Sequence, residues 1–226
     1  MNWEEIFIAL PKLWDGALVT MELVLISCLI GFVIAVPVAL MRASNNWWVS
    51  NVPLIYTFFF RGTPLLVQLF LFYYGAAQFD AVRDSMFWPI FKEAYVCALV
   101  VFALNTGAYT AEIFRGAIQT VPHGEIEAGI AIGMTKPTLY RRIVLPRAIR
   151  MALPAYGNEI ILMLKSSALA YTITLLDLTG VTRTIIARNY LAIEMYFAAG
   201  VIYLLLTFVF IQVWMRIEKR LMRFQA

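Results

Sequence analysis

The stretch Glu127-Ala128-Gly129, three residues, Gly133, nine residues, Ile143-Val144-Leu145-Pro146 decides how this chain is read. It also holds Lys136, Arg141 and Arg142, with Arg147 directly after it. A charge at membrane depth costs about 2.5–3.5 kcal/mol on insertion scales, so this stretch stands outside lipid, between far more apolar segments. Gly124 to Ile132 places Ile126, Ile130 and the small Ala128 and Ala131 on a short helix, and Gly133 supplies the unrestricted backbone that a helix end needs. Thr135 is placed to cap a second helix with Pro137 in its first turn, and Pro146 is expected to stop that helix or bend it into the next segment. The expectation is a helical hairpin within a loop over about 115–150, with Glu127 exposed and Ile143 and Leu145 anchoring it toward the membrane. Small residues around an exposed carboxylate suit a helix that lies in a groove of a partner protein. An ordinary solvated loop is the plainer alternative, although loops of this length are uncommon without a function.

The flanking segments set the environment. With 62% hydrophobic and 14% charged residues, the chain is well beyond the apolar content of a soluble domain and reads as an integral membrane protein. Five segments reach the roughly 20 apolar residues needed to cross a hydrocarbon core: 17–41, 53–79, 94–114, 151–176 and 195–215. The first is long and poorly flanked by basic residues, so it is expected to be a retained span and not a cleaved leader. Ahead of it, Asn2 to Trp14 puts Ile6, Leu10 and Leu13 on one stripe, which suits either a helix lying in the interface or a loose terminus. No strong internal repeat or linker divides the chain, so the fold expected is one all-α domain of five transmembrane helices.

Basic residues orient it. Arg42, Arg115, Lys136, Arg141, Arg142, Arg147, Arg150, Arg216, Lys219, Arg220 and Arg223 fall on one side, and only Lys12, Arg83, Lys92, Arg183 and Arg188 on the other. The positive-inside rule then puts the N-terminus outside and the hairpin and C-terminus in the cytoplasm. The net charge of +4 is this asymmetry and implies no nucleic-acid partner.

Several chemistries find no support. Cys28 and Cys97 lie in apolar spans and read as buried free thiols, and the lone His123 has no metal-ligand spacing around it. There is no GxxxxGK[ST], GxSxG or HExxH sequence, so catalytic, metal and cofactor residues are expected to be absent and any use of ATP belongs to another chain. Glu22 and Asp177 sit at the outer boundary, where interface solvation is the only role expected of them.

Polar residues inside the spans mark a candidate path. At about 1.5 Å per residue, Arg61 and Glu159 lie at similar depth, and Asn105 falls near that level. Asn105, Tyr109 and Glu112 share one face of the third span, Arg61 and Gln68 one face of the second, and Asn158 shares a face with Lys165. The Gly62-Thr63-Pro64 break frees backbone groups, which are tolerated at that depth only where they line a cavity or find partners; a simple kink is the alternative. Two readings of Glu159 stay open: it meets the cationic part of a ligand, or it neutralises Arg61. Arg61 suits only the carboxylate end of such a ligand.

The Glu-Ala-Gly, Gly, Ile-x-Leu-Pro spacing resembles the EAA loop of bacterial ATP-binding-cassette (ABC) importer membrane subunits, with Gly129 where that pattern usually has a second Ala. Arg61-Gly62-Thr63-Pro64-Leu65, Ala108 to Gly116 and Val121 to Glu125 are similar to the polar amino-acid uptake group of those permeases. Asn158-Glu159 through Ala170 is most like its histidine/lysine/arginine/ornithine and opine branch, departing from many relatives at Ser166 and Ser167. The resemblance implies a bacterial inner-membrane permease subunit that translocates an amino acid, expected to be a basic one, by alternating access. It implies as partners ATPase subunits that dock on Glu127, Ala128, Gly129, Gly133, Ile143, Leu145 and Pro146, a second permease subunit and a periplasmic amino-acid-binding protein. Glu159, Asn158, Arg61, Asn105 and Tyr109 are the expected substrate residues. An ion-coupled carrier or channel, in which Glu159, Lys165 and Arg61 relay ions, is the alternative class, and a permease for a non-basic amino acid the nearer one.

Overall fold

A computed structural model describes residues 2–44, 46–86 and 88–222, which are helical nearly throughout; Arg223, counted above with the basic side, lies outside them. Among the described residues, three helices are individually long and apolar enough to cross a membrane: α1 (Trp3–Arg42), α6 (Ala94–Gln119) and α11 (Ala192–Met222). Two bent pairs bring the number of candidate spans to as many as five. One pair joins α2 (Trp47–Gly62) to α3 (Leu65–Phe70), which continues through a π-helical turn at Leu71–Gly75. Two short helices, α4 (Asp80–Arg83) and α5 (Trp88–Phe91), precede α6. The hairpin is α7 (His123–Ala131) and α8 (Lys136–Leu139). The second bent pair begins at α8, runs through α9 (Leu145–Ser166) and a 3₁₀ segment (Ser167–Ile173), and turns by 49° into α10 (Leu178–Asn189).

The centre of the bundle is the crossing of α1 and α6. Gly31, Ala35 and Ala39 recur every fourth residue on α1, and Ala103, Gly107 and Ala111 do the same on α6; all six are buried. Small residues at this spacing let two backbones approach closely, which lipid-embedded helices need because no hydrophobic drive separates them from their solvent. A Cβ at Gly31 would stand 3.0 Å from both the Ala103 carbonyl oxygen and the Gly107 nitrogen, backbone atoms that cannot swing aside. Gly31→Val is therefore expected to destabilise the fold by about 1–3 kcal/mol through overpacking. A lowered unfolding temperature in detergent checks this, with Gly116→Val, in open space, as the unaffected control.

Three expectations need correction, and one open choice is decided. The N-terminal stripe is neither a separate interfacial helix nor loose: it is the start of α1, with Ile6 and Leu13 buried against Met195, Ala198 and Ile202. The 53–79 segment is not a straight span but turns by 104° at Thr63-Pro64, so Arg61 and Gln68 do not share a helix face. Of the two courses expected at Pro146, a stop is not the one taken: the second hairpin helix runs on into the next segment. Lacking an N–H, Pro146 fits the first turn of α9, and the helix reaches it from α8 through a five-residue π turn at Tyr140–Val144. Asp177 is not solvated at an interface; it is fully buried and caps α10, accepting the Gly180 N–H at 2.9 Å.

Candidate functional site

The break after Gly62 builds the site. Pro64 has no N–H to give to the Phe60 carbonyl four residues earlier, so that oxygen loses its helical partner. The protein replaces it twice: Gln68 Nε2 donates to Phe60 O at 2.9 Å and Asn105 Nδ2 at 3.0 Å. Gln68 Nε2 also donates to Thr63 O at 3.1 Å, and the Tyr109 hydroxyl to Arg61 O at 3.3 Å. The freed backbone therefore finds partners and also borders a cavity, the two conditions that make broken helix tolerable at membrane depth.

That cavity, about 450 Å³, is lined by Arg61 to Leu65, Asn105, Tyr109, Glu159, Leu162, Met163 and Ser166. Its volume suits a small organic ligand. Four of the five expected ligand residues meet here, and α2, α6 and α9 each contribute. Asn158 does not: it is exposed on α9 and lies outside the lining.

The charges in the cavity are unequally engaged. Glu159 is 6% exposed, and no ion pair reaches it among the described residues. The Arg61–Glu159 pair is thus not formed. Arg61 turns to Glu112 instead, with Nη1 3.8 Å from Oε2, and its guanidinium carbon lies 5.3 Å from the Tyr109 ring centroid. Glu112 is already held more closely by Arg42 Nε at 3.0 Å and Arg115 Nε at 2.7 Å. Arg61, with 43% of its side chain exposed, is the least engaged of the three arginines and the one that borders the cavity. The wall therefore offers a buried carboxylate and a guanidinium free to turn toward an anion.

Sequence reasoning left two contributors without a role. Gln68 was legible in principle, because Pro64 alone announces an orphaned Phe60 carbonyl that needs a buried donor. Glu112 was placed on the right face, and its i, i+3 spacing to Arg115 was legible, but Arg42 and Arg61 come from α1 and α2, and no spacing reveals those.

The hairpin stands apart from this cavity. After α7 the Met134 N–H bonds to Gly129 O at 3.0 Å and the Gly133 N–H to Ile130 O at 2.9 Å, a Schellman closure with Gly133 at φ +82°. Gly129 is buried against Leu139 and Ile143, so its lack of a side chain lets α7 lie close on the second arm. Glu125 pairs with Arg147 at 3.2 Å across the hairpin. The anchor is Leu139 and Val144, both buried, with Ile143 packed beside them; Leu145 and Pro146 are half-buried. Glu127, Ala128, Ile130 and Ile132 point outward, the two isoleucines 60% and 74% exposed.

A bundle of membrane-crossing helices, a charged cavity at a helix break and an apolar-tipped hairpin beyond it together define the membrane component of a transport system. Residues 29–223 match the family of binding-protein-dependent transport system inner membrane components, and the chain belongs to that family. It is similar to the nopaline transport system permease protein NocM of Agrobacterium fabrum, with 50% identity over 92% of this chain and 87% of NocM. The histidine/lysine/arginine/ornithine transport system permease protein HisM of Escherichia coli is 43% identical, over 93% of this chain and 91% of HisM. Among solved structures, an amino acid ABC transporter crystallised with histidines superposes with a TM-score of 0.87 at 33% identity, over 97% of this chain and 99% of that one. The MetNI methionine ABC transporter shares the fold, with a TM-score of 0.78 at 20% identity, over 93% and 96% of the two chains. The family expected from the Glu127 spacing, and the opine and basic amino-acid branch expected from Asn158 to Ala170, are those of the relatives found.

Proposed function

We propose that this chain is the membrane subunit of an ABC importer that carries an amino acid with a cationic side chain across a bacterial inner membrane. Five spans cross the bilayer, the two bent pairs counting as one each, with the N-terminus outside and the hairpin and C-terminus in the cytoplasm. The observation that carries the substrate class is the buried, unpaired carboxylate of Glu159 in a cavity whose other charged group is Arg61. A cationic side chain neutralises the first, and the ligand carboxylate draws the second away from Glu112. Relatives named for nopaline, octopine, histidine, lysine, arginine and ornithine transport support the same class.

Energy enters through the hairpin. Ile130 and Ile132, exposed beside Glu127, form the kind of helix face that fills a partner's groove, and the proposed occupant of that role is a separate ATPase subunit. A second permease completes the path, and a periplasmic binding protein delivers the ligand. Affinity purification of the intact assembly tests this. ATPase chains and a second permease are expected to co-purify, and uptake of L-arginine into liposomes is expected to require ATP and a binding protein. Uptake by this chain alone would overturn the proposal.

A further inference from the structure

We infer that Gln68 is a positioning residue of the cavity. By fixing the amide of Asn105 in one orientation, it makes Asn105 present its carbonyl oxygen, an acceptor, to the bound amino acid. The inference deepens the function proposed above and rests on it.

The orientation follows from which atoms only accept. Gln68 is 2% exposed, and its amide faces the carbonyls of Phe60 at 2.9 Å and Thr63 at 3.1 Å. Carbonyls accept and never donate, so the nitrogen of Gln68 must be the atom turned toward them. Its oxygen consequently faces the other way, where it accepts from Asn105 Nδ2 at 3.0 Å. The same Asn105 nitrogen donates to Phe60 O, also at 3.0 Å. Both N–H groups of Asn105 are thereby committed, and Oδ1 is the atom left without a partner among the described residues, on a side chain that lines the cavity. Turning the Asn105 amide over would set Oδ1 against two acceptors and lose both bonds. The sequence cause is Pro64: without it the Phe60 carbonyl would be bonded within the helix, and neither amide would be anchored.

The cavity wall then has a polarity. It offers acceptors at Asn105 Oδ1 and at the Glu159 carboxylate, while the Tyr109 hydroxyl is spent on Arg61 O. Arg61 supplies the charged donor. A ligand with two ammonium-type groups and one carboxylate satisfies all three, and a ligand whose side chain ends in a carboxylate in place of a cation leaves Glu159 opposed.

A double-mutant cycle tests the role, read as L-arginine binding to the purified complex. Gln68→Met keeps an unbranched side chain of similar length, and Gln68→Glu keeps the shape but cannot donate to two carbonyls when ionised. Each is expected to weaken binding roughly ten-fold, the loss of one hydrogen bond to a charged group. In an Asn105→Ala background the same changes are expected to weaken it by less than about two-fold, because a residue that acts through another loses its effect once that partner is gone. Additive losses, or full affinity in both single variants, would overturn the inference. So would failure of both variants to assemble, which would make Gln68 a folding residue. If the unaltered complex binds no L-arginine, the proposed function falls, and this inference with it.

Discussion

Glu159→Gln is expected to lose the cationic amino acid while keeping, or slightly raising, the stability of the complex. The two effects have one cause. A carboxylate held at 6% exposure without an ion-pair partner opposes folding in the empty state, so neutralising it relieves a desolvation cost. In the loaded state the same carboxylate faces a ligand cation out of water, where removing one member of a charge pair costs about 2–5 kcal/mol. Affinity for L-arginine is expected to fall by roughly a hundred-fold, while the unfolding temperature holds or rises. If the variant misassembles, Glu159 is a structural group, and the cavity takes its selectivity from elsewhere.

Gly133→Val is expected to abolish productive coupling. At φ +82° the left-handed region costs an ordinary L-residue about 1–2 kcal/mol, and a β-branched one fits it worst. No neighbour lies near a Cβ there, so the penalty is conformational and not a clash. The local remedy is to open the Schellman closure and let α7 leave Leu139 and Ile143. Expression and membrane insertion are expected to persist, with ATP hydrolysed by the partner but little amino acid imported. Gly133→Asn should retain much of the transport, since Asn tolerates this conformation. Full transport by the Val variant would show that the turn is not what aims α7.

Much of this was legible in the chain because it depends on local chemistry. Hydropathy marked the apolar segments that α1, α6 and α11 occupy, Gly133 marked the end of α7, and Gly62-Thr63-Pro64 marked a break. The small-residue ladders of α1 and α6 were equally visible, though nothing local pairs one with the other. What escaped was geometry fixed by distant partners. The angle of the break, the burial of Asp177 and the engagement of Arg61 by Glu112 instead of Glu159 all depend on residues tens of positions away. Of the N-terminal stripe, Ile6 and Leu13 are buried and Leu10 is exposed, and a stripe does not say whether it faces lipid headgroups or, as Ile6 and Leu13 do, α11.

The uninterrupted course of the chain from Lys136 through the π turn into α9 has a mechanical corollary. The second arm of the hairpin and the wall bearing Glu159 are one stretch of helical backbone, about 35 Å from Lys136 to Glu159 at 1.5 Å per residue. A displacement of that arm needs no relay of side chains to reach the cavity wall. The π turn at Tyr140–Val144 lies within that stretch, where its hydrogen bonds depart from the α-helical pattern.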